Sequence, residues 1–234
     1  MIPAVFLAAG EGKRLRPLTA DRPKAMIEID GIALAERALR SLRGAGIERV
    51  VAVTGHRPEV LERLGDLITE ERPNERYADL ENIYSLWLAR DVVAEGCFIV
   101  NADVLFENEI GRRLVSATGS AILCASDHGV DAESMKAVAS DGRLERLTKN
   151  APAEGNPEYI GLARIDPADG PRLAAILDEF VQSGRTSVYY EDAIEWLARE
   201  VSVRLLPVDG MAWIEIDDHS DLERAQREVL ERVA

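Results

Sequence analysis

The chain has little cysteine, little lysine and few aromatic residues, and each shortage removes a class of explanation. Two cysteines in 234 residues give no disulfide framework. Cys97 and Cys124 lie in the apolar runs "GCFIV" and "AILCAS" and read as small buried hydrophobes of a reducing compartment. Neither stands at metal-ligand spacing from His56, His128 or His219. No apolar run approaches the length of about 18 residues that a span requires, and no cationic segment precedes a long apolar core near the N-terminus. The expected location is therefore the cytoplasm, without membrane attachment. Positive charge is scarce too. With 28 basic and 42 acidic residues the net charge is -14, which argues against general nucleic-acid or anionic-membrane binding.

What is present reads as one α/β domain of residues 1–234, long enough to bury a sizeable core. "PAVFLAA", "RVVAVTG", "GCFIVNAD" and "AILCAS" are buried strands, separated by helical patterns in "ALAERALRSLRGAG", "PEVLERLGDLI", "ENIYSLWLARDVV" and "IGRRLVSAT". This alternation predicts a Rossmann-like, mainly parallel mixed sheet flanked by helices. The rhythm then changes. "MKAVASDGRLERLTK" predicts a hairpin around Asp141-Gly142, followed by strand "YIGLARI", helices "PRLAAILDEFVQSG" and "YYEDAIEWLARE", strands "VRLLPV" and "AWIEID", and a terminal helix.

Against the acidic background, residues 1–24 carry Lys13, Arg14, Arg16, Arg22 and Lys24 against only Glu11 and Asp21. These cations follow a first buried strand and a glycine-rich turn, "LAAGEGKRLRPLT". Gly10 and Gly12 permit close backbone approach to phosphate, and Lys13 and Arg14 add charge, so a small anionic ligand is the expected partner. A dinucleotide fingerprint would need glycine where Leu15 stands, and the Walker pattern is absent. Pro17 and Pro23 oppose a helix directly after the glycines and predict a long loop over the ligand.

"LAAGEGKRLRPLTADRPKAMIEIDG" resembles the signature of the nucleotidyltransferases that activate sugar phosphates and alcohol phosphates with an NTP. Later blocks, including "ERYADLENIYSLWLARD", "NADVLFEN" and "WIEIDDHSDLERA", resemble the branch making CDP-linked alcohols and phosphonates, which includes bacterial phosphocholine cytidylyltransferases. The resemblance implies a fold of nucleotide-diphospho-sugar transferase type, with an NTP-binding half at 1–130 and an acceptor-binding half with a metal-binding strand at 131–234. It also implies that Leu7, Ala8, Ala9, Gly10, Gly12, Lys13 and Arg14 wrap the NTP and that Lys24 contacts the reacting phosphate. Asn82 and Ser85 match positions close to base and ribose, although Asn82 also suits a helix N-cap and Ser85 a packing role.

Transfer from an NTP calls for a divalent metal, Mg²⁺ being the expected one. Asp103 ends a buried strand, where open α/β sheets bind ligands, and Glu215 and Asp217 alternate onto one strand face. These three match the family's metal-binding acids, while Asp218 points the other way and is expected to serve the terminal helix. Lys136, in an M-K-V-like strand, matches the lysine that faces the acceptor's phosphate. Lys149 reads equally as a solvated lysine. Tyr189, Tyr190, Glu191 and Asp192 in "YYEDAIEW" could hold a cationic alcohol by cation–π attraction and ion pairing, with Tyr190, Glu191 and Asp192 the expected acceptor contacts, or simply begin a helix. The expectation is direct transfer, with Arg14, Lys24 and Lys136 as catalytic groups and no protein nucleophile. CTP is the favoured nucleotide, and phosphocholine or 2-aminoethylphosphonate the type of acceptor. A hexose-1-phosphate or inositol-phosphate nucleotidyltransferase using CTP, UTP, GTP or dTTP is the alternative, and a non-catalytic nucleotide-binding module a more distant one. Either a monomer or a homodimer suits the sequence.

Overall fold

In the computed structural model, which describes residues 2–233, the first half runs as the alternation predicts. The elements are β1 (Ala4–Ala8), the small hairpin β2–β3 (Glu28–Ile29, Ile32–Ala33), α1 (Leu34–Gly44), β4 (Val50–Thr54) and β5 (Glu70–Pro73). Next come α2 (Asn82–Leu88), α3 (Arg90–Ala94), β6 (Cys97–Asn101), β7 (Val104–Phe106), α4 (Asn108–Ser116) and β8 (Ala121–Ala125). The second half contains β9 (Lys136–Ser140), β10 (Arg143–Thr148), β11 (Glu158–Ile165), α5 (Gly170–Gln182), α6 (Tyr190–Ala198), β12 (Arg204–Pro207), β13 (Trp213–Glu215), α7 (His219–Arg224) and α8 (Leu230–Val233).

Nine strands form one mixed sheet in the order β5-β4-β1-β6-β11-β8-β12-β10-β9. The part built from the first half of the chain, β5-β4-β1-β6, is parallel throughout. β11 enters antiparallel between β6 and β8, so a strand of the second half lies at the centre of the sheet. Its register shifts between Tyr159 and Ala163, around Gly161, whose φ of 76° is a left-handed conformation open to glycine.

Alternation within each central strand supplies two apolar layers. Val5, Val51 and Ile99 face the layer that contains Ile83 of α2, Leu173 of α5 and Ile194 of α6. Phe6, Ala52 and Phe98 face Leu39 and Leu42 of α1 and Ile110 and Leu114 of α4. A third cluster joins Leu15 and Ile27 of the N-terminal loop to Ile214, Ile216 and Val229, docking that loop beside β13. Among the described residues, no helix is long and apolar enough to cross a membrane.

Three local expectations are corrected. "PEVLERLGDLI" forms tight 3₁₀ turns over Pro58–Leu67 instead of an α-helix, with Gly65 at φ 53° and ψ -128° breaking the run. "ENIYSLWLARDVV" is two helices, because the backbone leaves helical geometry at Ala89. β5 was not expected: "EERP" is charged and has no strand-like apolar pattern, yet it pairs at the sheet edge, where water solvates its side chains.

Candidate active site

The loop after β1 and the carboxyl end of β6 open onto one concave region, as open α/β sheets require. It has two adjoining parts. A cleft of about 270 Å³ lies between Leu7, Gly10, Asn82 and Ser85 on one side and Lys149, Tyr159, Tyr189 and Glu191 on the other. A groove of about 420 Å³ follows Gly10, Gly12, Lys13, Arg14 and Lys24, with Tyr77–Glu81 opposite. Asp103, Asp217 and Arg14 border both parts, so they mark the junction.

The glycine loop owes its shape to close approach. Gly12 has a φ of 65°, and a Cβ there would stand 2.9 Å from Cβ of Lys24. Thr19 Oγ1 donates to the Gly12 carbonyl at 2.8 Å and fastens the loop from behind. Leu7, Ala9 and Gly10 line the cleft, whereas Ala8 turns into the apolar layer with Phe6. Lys13 lies along the groove beside Glu11 at 2.9 Å.

At the junction, Lys24 Nζ donates to Asp103 Oδ2 at 2.8 Å and to Asp217 Oδ1 at 2.6 Å, and Arg14 meets Asp217 Oδ2 at 2.6 Å. Burial alone would lower the Lys24 ammonium, but Asp103 and Asp217 outweigh it and raise its pKa. Burial likewise opposes ionisation of Asp217, yet Lys24 and Arg14 hold its carboxyl below the usual range. Glu215 is pushed well above that range by burial and by the charges of Asp103 and Asp217. One carboxylate oxygen from each of Asp103, Glu215 and Asp217 lies within 4.8 Å of the others. Asp103 Oδ1 is buried without a hydrogen-bond partner. Three hard oxygen donors with surplus negative charge, one of them unsatisfied, fit a hard divalent cation. Asp218 stands apart: its Oδ1 accepts from Ser220 and Asp221 backbone N–H groups and caps α7.

Other expected site residues are distributed unevenly. Asn82 and Ser85 reach the cleft from α2, and Ser85 Oγ also accepts from Asn74 Nδ2 at 2.9 Å. Lys136 does not reach it. It is 1% exposed, and its Nζ donates to the carbonyls of Ser134 and Lys149, both at 2.9 Å, because the strand parity of β9 turns it inward. The cleft lysine is Lys149, one residue past β10, with Nζ 3.5 Å from Glu133 and 5.4 Å from the Tyr189 ring centre. Tyr190 and Asp192 line neither part of the site, while Tyr189 and Glu191 line the cleft. Of the cleft's aromatic and basic side chains, Tyr159 was absent from the sequence-derived site, Tyr189 belonged to the "YYED" group read as a possible cation site, and Lys149 was weighed against a solvated role.

Glu191 is 5% exposed, and its Oε2 has no hydrogen-bond partner. Burial, reinforced by the charges of Asp192 and Asp103, pushes its carboxyl from 4.5 up to about 7. The folded chain therefore binds this proton more tightly than the unfolded chain, and stability falls as pH rises through that window. The total change across the window is worth at most about 3 kcal/mol. Urea unfolding at pH 5 and pH 8 should show wild type losing more stability with rising pH than Glu191→Gln. Equal losses in the two proteins would mean that Glu191 carries no such shift.

Residues 4–164 match the family described as the MobA-like NTP transferase domain. Over 94% of its length the chain is similar to the 2-aminoethylphosphonate cytidylyltransferase of Lancefieldella rimae, with 27% identity and 89% of that protein covered. The solved structure of the CTP:phosphocholine cytidylyltransferase from Streptococcus pneumoniae superposes with a TM-score of 0.83 at 24% identity, over 96% of this chain and 97% of that one. The inositol-1-phosphate CTP transferase of T. maritima also gives 0.83, at 23% identity, over 100% and 96% of the two chains. At these identities the structural likeness is one of fold. The matched span exceeds half the sequence and contains the whole glycine loop, Lys24 and Asp103: the chain belongs to the MobA-like NTP transferase family.

Proposed function

We propose that the protein transfers CMP from CTP to the phosphate or phosphonate of a small acceptor that also carries a positive charge. The observation carrying this reading is the cleft wall, where Glu191, buried and unpaired at Oε2, stands beside the exposed ring of Tyr189. A cation there gains an ion pair and a π face together. Similarity to relatives that act on 2-aminoethylphosphonate and phosphocholine supports the same choice. On this reading residues 1–130 bind the nucleotide, residues 131–234 supply the acceptor wall and the metal-binding strand, and the enzyme works in the cytoplasm, where its nucleotide is made.

The acceptor oxygen attacks the α-phosphorus of CTP. A new P–O bond replaces the bond to the bridging oxygen, and pyrophosphate leaves with that electron pair. The attacking oxygen is already anionic, so no protein nucleophile is required, and both cysteines are buried with their thiols pushed up by burial. Catalysis comes from positioning and charge stabilisation. Gly10, Gly12, Lys13 and Arg14 cradle the triphosphate, Lys24 faces the reacting phosphate, and Lys149 draws in the acceptor's phosphate. Asp103, Glu215 and Asp217 would hold Mg²⁺, which supplies Lewis-acid screening of the phosphate charge when bound.

A matrix of four NTPs against charged and neutral acceptors tests the assignment. Release of pyrophosphate should be fastest with CTP and phosphocholine or 2-aminoethylphosphonate. Preference for inositol 1-phosphate or glycerol phosphate would sink the cation site, and preference for another NTP would sink the cytidylyl assignment. Lys24→Met and Asp103→Asn should each lower kcat/KM by about two orders of magnitude or more, the usual loss for a preorganised charge-stabilising group. Near-normal rates in a folded variant would remove that residue from the mechanism. The two acceptor-half lysines should separate cleanly. Lys149→Met should raise acceptor KM about tenfold or more, as expected for loss of a charged contact to phosphate. Lys136→Met should instead show as lower unfolding stability, measured in urea. An acceptor KM that responds only to Lys136 would restore the original assignment.

A further inference from the structure

Behind the groove, its two walls meet at a dipeptide that lines neither part of the site. Gly55 and His56 follow β4 directly. A Cβ on Gly55 would stand 2.6 Å from the Ala9 carbonyl oxygen and 2.8 Å from Cβ of Tyr77, so the glycine loop and the opposite wall close on a residue that has to lack one. The backbone N–H of His56 donates to the same Ala9 carbonyl at 3.2 Å, and its ring lies 6.1 Å from that of Tyr77. Its Nε2 meets the Thr19 carbonyl at 3.2 Å. A carbonyl can only accept, so Nε2 carries the hydrogen and donates.

From Thr19 the contact runs on to the glycine loop. Thr19 is 1% exposed, and its Oγ1 donates to the Gly12 carbonyl at 2.8 Å. The same oxygen accepts the Leu15 N–H at 2.9 Å, so both of its lone pairs are in use. The Gly12 carbonyl is thereby held toward the inside of the loop, where it presents no partial negative charge to an anion in the groove. Across the planar trans peptide the Lys13 N–H points the other way. Leu15 and Ile27 fasten this loop on its apolar side, and His56 ties it at the end of β4.

We propose that His56 is a positioning residue for the triphosphate groove, acting through Thr19 to hold the Gly12 carbonyl inward. The inference rests on the reading that this groove takes the triphosphate of the nucleotide. A side chain that touches no ligand then sets how well the loop receives one, because removing its donor leaves the Thr19 carbonyl unpaired and the loop free to turn.

The test measures CTP Kd by equilibrium dialysis with Mg²⁺, together with KM and kcat, in wild type, His56→Leu, His56→Gln, Thr19→Val and the Leu/Val double variant. Leucine fills the place of the imidazole without its donor. CTP Kd and KM should rise about tenfold, with kcat and acceptor KM within about threefold. Glutamine carries an amide N–H at the reach of Nε2 and should restore CTP Kd to within about threefold of wild type. Thr19→Val removes the next link and should cost about as much as leucine. Both act on one carbonyl, so the double variant should lose no more than about twofold beyond the worse single variant, whereas independent sites would multiply to about a hundredfold. A purely structural His56 would lower the urea midpoint of the leucine variant and leave CTP Kd within about twofold, which overturns the proposal. A glutamine variant as weak as leucine overturns it too, since the donor would then be immaterial, and so does a double variant in which the losses multiply. If His56→Leu does not fold, His56→Asn decides in its place, because its amide lies at the reach of Nδ1 and falls short of Thr19. A Kd about tenfold weaker there supports the proposal, and an unchanged one overturns it. A wild type that binds no nucleoside triphosphate sinks the nucleotide reading and the proposal together. A CTP-binding wild type whose affinity ignores His56 sinks the proposal alone.

Discussion

The ammonium of Lys24 is the contact on which the site depends. Its two acceptors, Asp103 and Asp217, stand 79 and 193 residues away in sequence. Three carboxyl groups within 4.8 Å of one another repel when ionised wherever water is scarce. They can share that space only around positive charge or with a retained proton, which burial and the charges of Asp103 and Asp217 favour at Glu215. Lys24 and Arg14 supply the positive charge from the N-terminal loop. The remaining features follow from bringing that loop to those acids. Gly12 has to be glycine because Lys24 passes over it, and Leu15 and Ile27 anchor the loop to Ile214 and Ile216 beside the acidic strand. Lys24 and Arg14 occupy both Asp217 oxygens, so a triphosphate offering them other partners would also free carboxylate for a metal, and on the proposed reading nucleotide and cation would be linked through the same side chains.

The sheet explains how residues from both halves of the chain come to line one cleft. The parallel half alone would offer the usual crevice at the ends of β1 and β6. Insertion of antiparallel β11 next to β6 sets Gly161 against the side chain of Asn101, across the strand pair that joins the two halves, with Tyr159 lining the same cleft. The irregular register at Gly161 gives Asn101 its room. α6 then closes the far wall, its start held to α2 through Asn82.

The sequence was most informative where chemistry is local. A glycine turn with cations after an apolar strand is legible because strand, turn and charge are contiguous. Strand-end acids are legible for the same reason. What escaped were features decided by parity and by distant partners. Lys136 and Lys149 look alike in the primary structure, but β9 turns one inward onto two carbonyls while the other leaves β10 toward the cleft. Tyr189 and Tyr190 differ by one step at a helix start, about 100° of rotation, which separates cleft wall from core. Asn82 was read as a cap or as a base contact. It does cap a helix, but α6 and not its own.

The charge distribution along the site gives the last step of the argument. Lys13, Arg14 and Lys24 crowd the groove end, whereas the far wall of the cleft contributes Glu191 and Tyr189, with Glu133 beside Lys149. An uncharged polyol phosphate would satisfy Lys149 and leave Glu191 buried without a partner, at the desolvation cost that raises its pKa to about 7. On the proposed reading, an acceptor that is anionic at one end and cationic at the other would remove that cost, its cation stabilising the ionised carboxylate while its phosphate met Lys149. Lys149 and the unpaired Glu191 carboxyl thus line the same cleft, a pairing of opposite charges that an acceptor with both an anionic and a cationic group would meet and a neutral sugar would not.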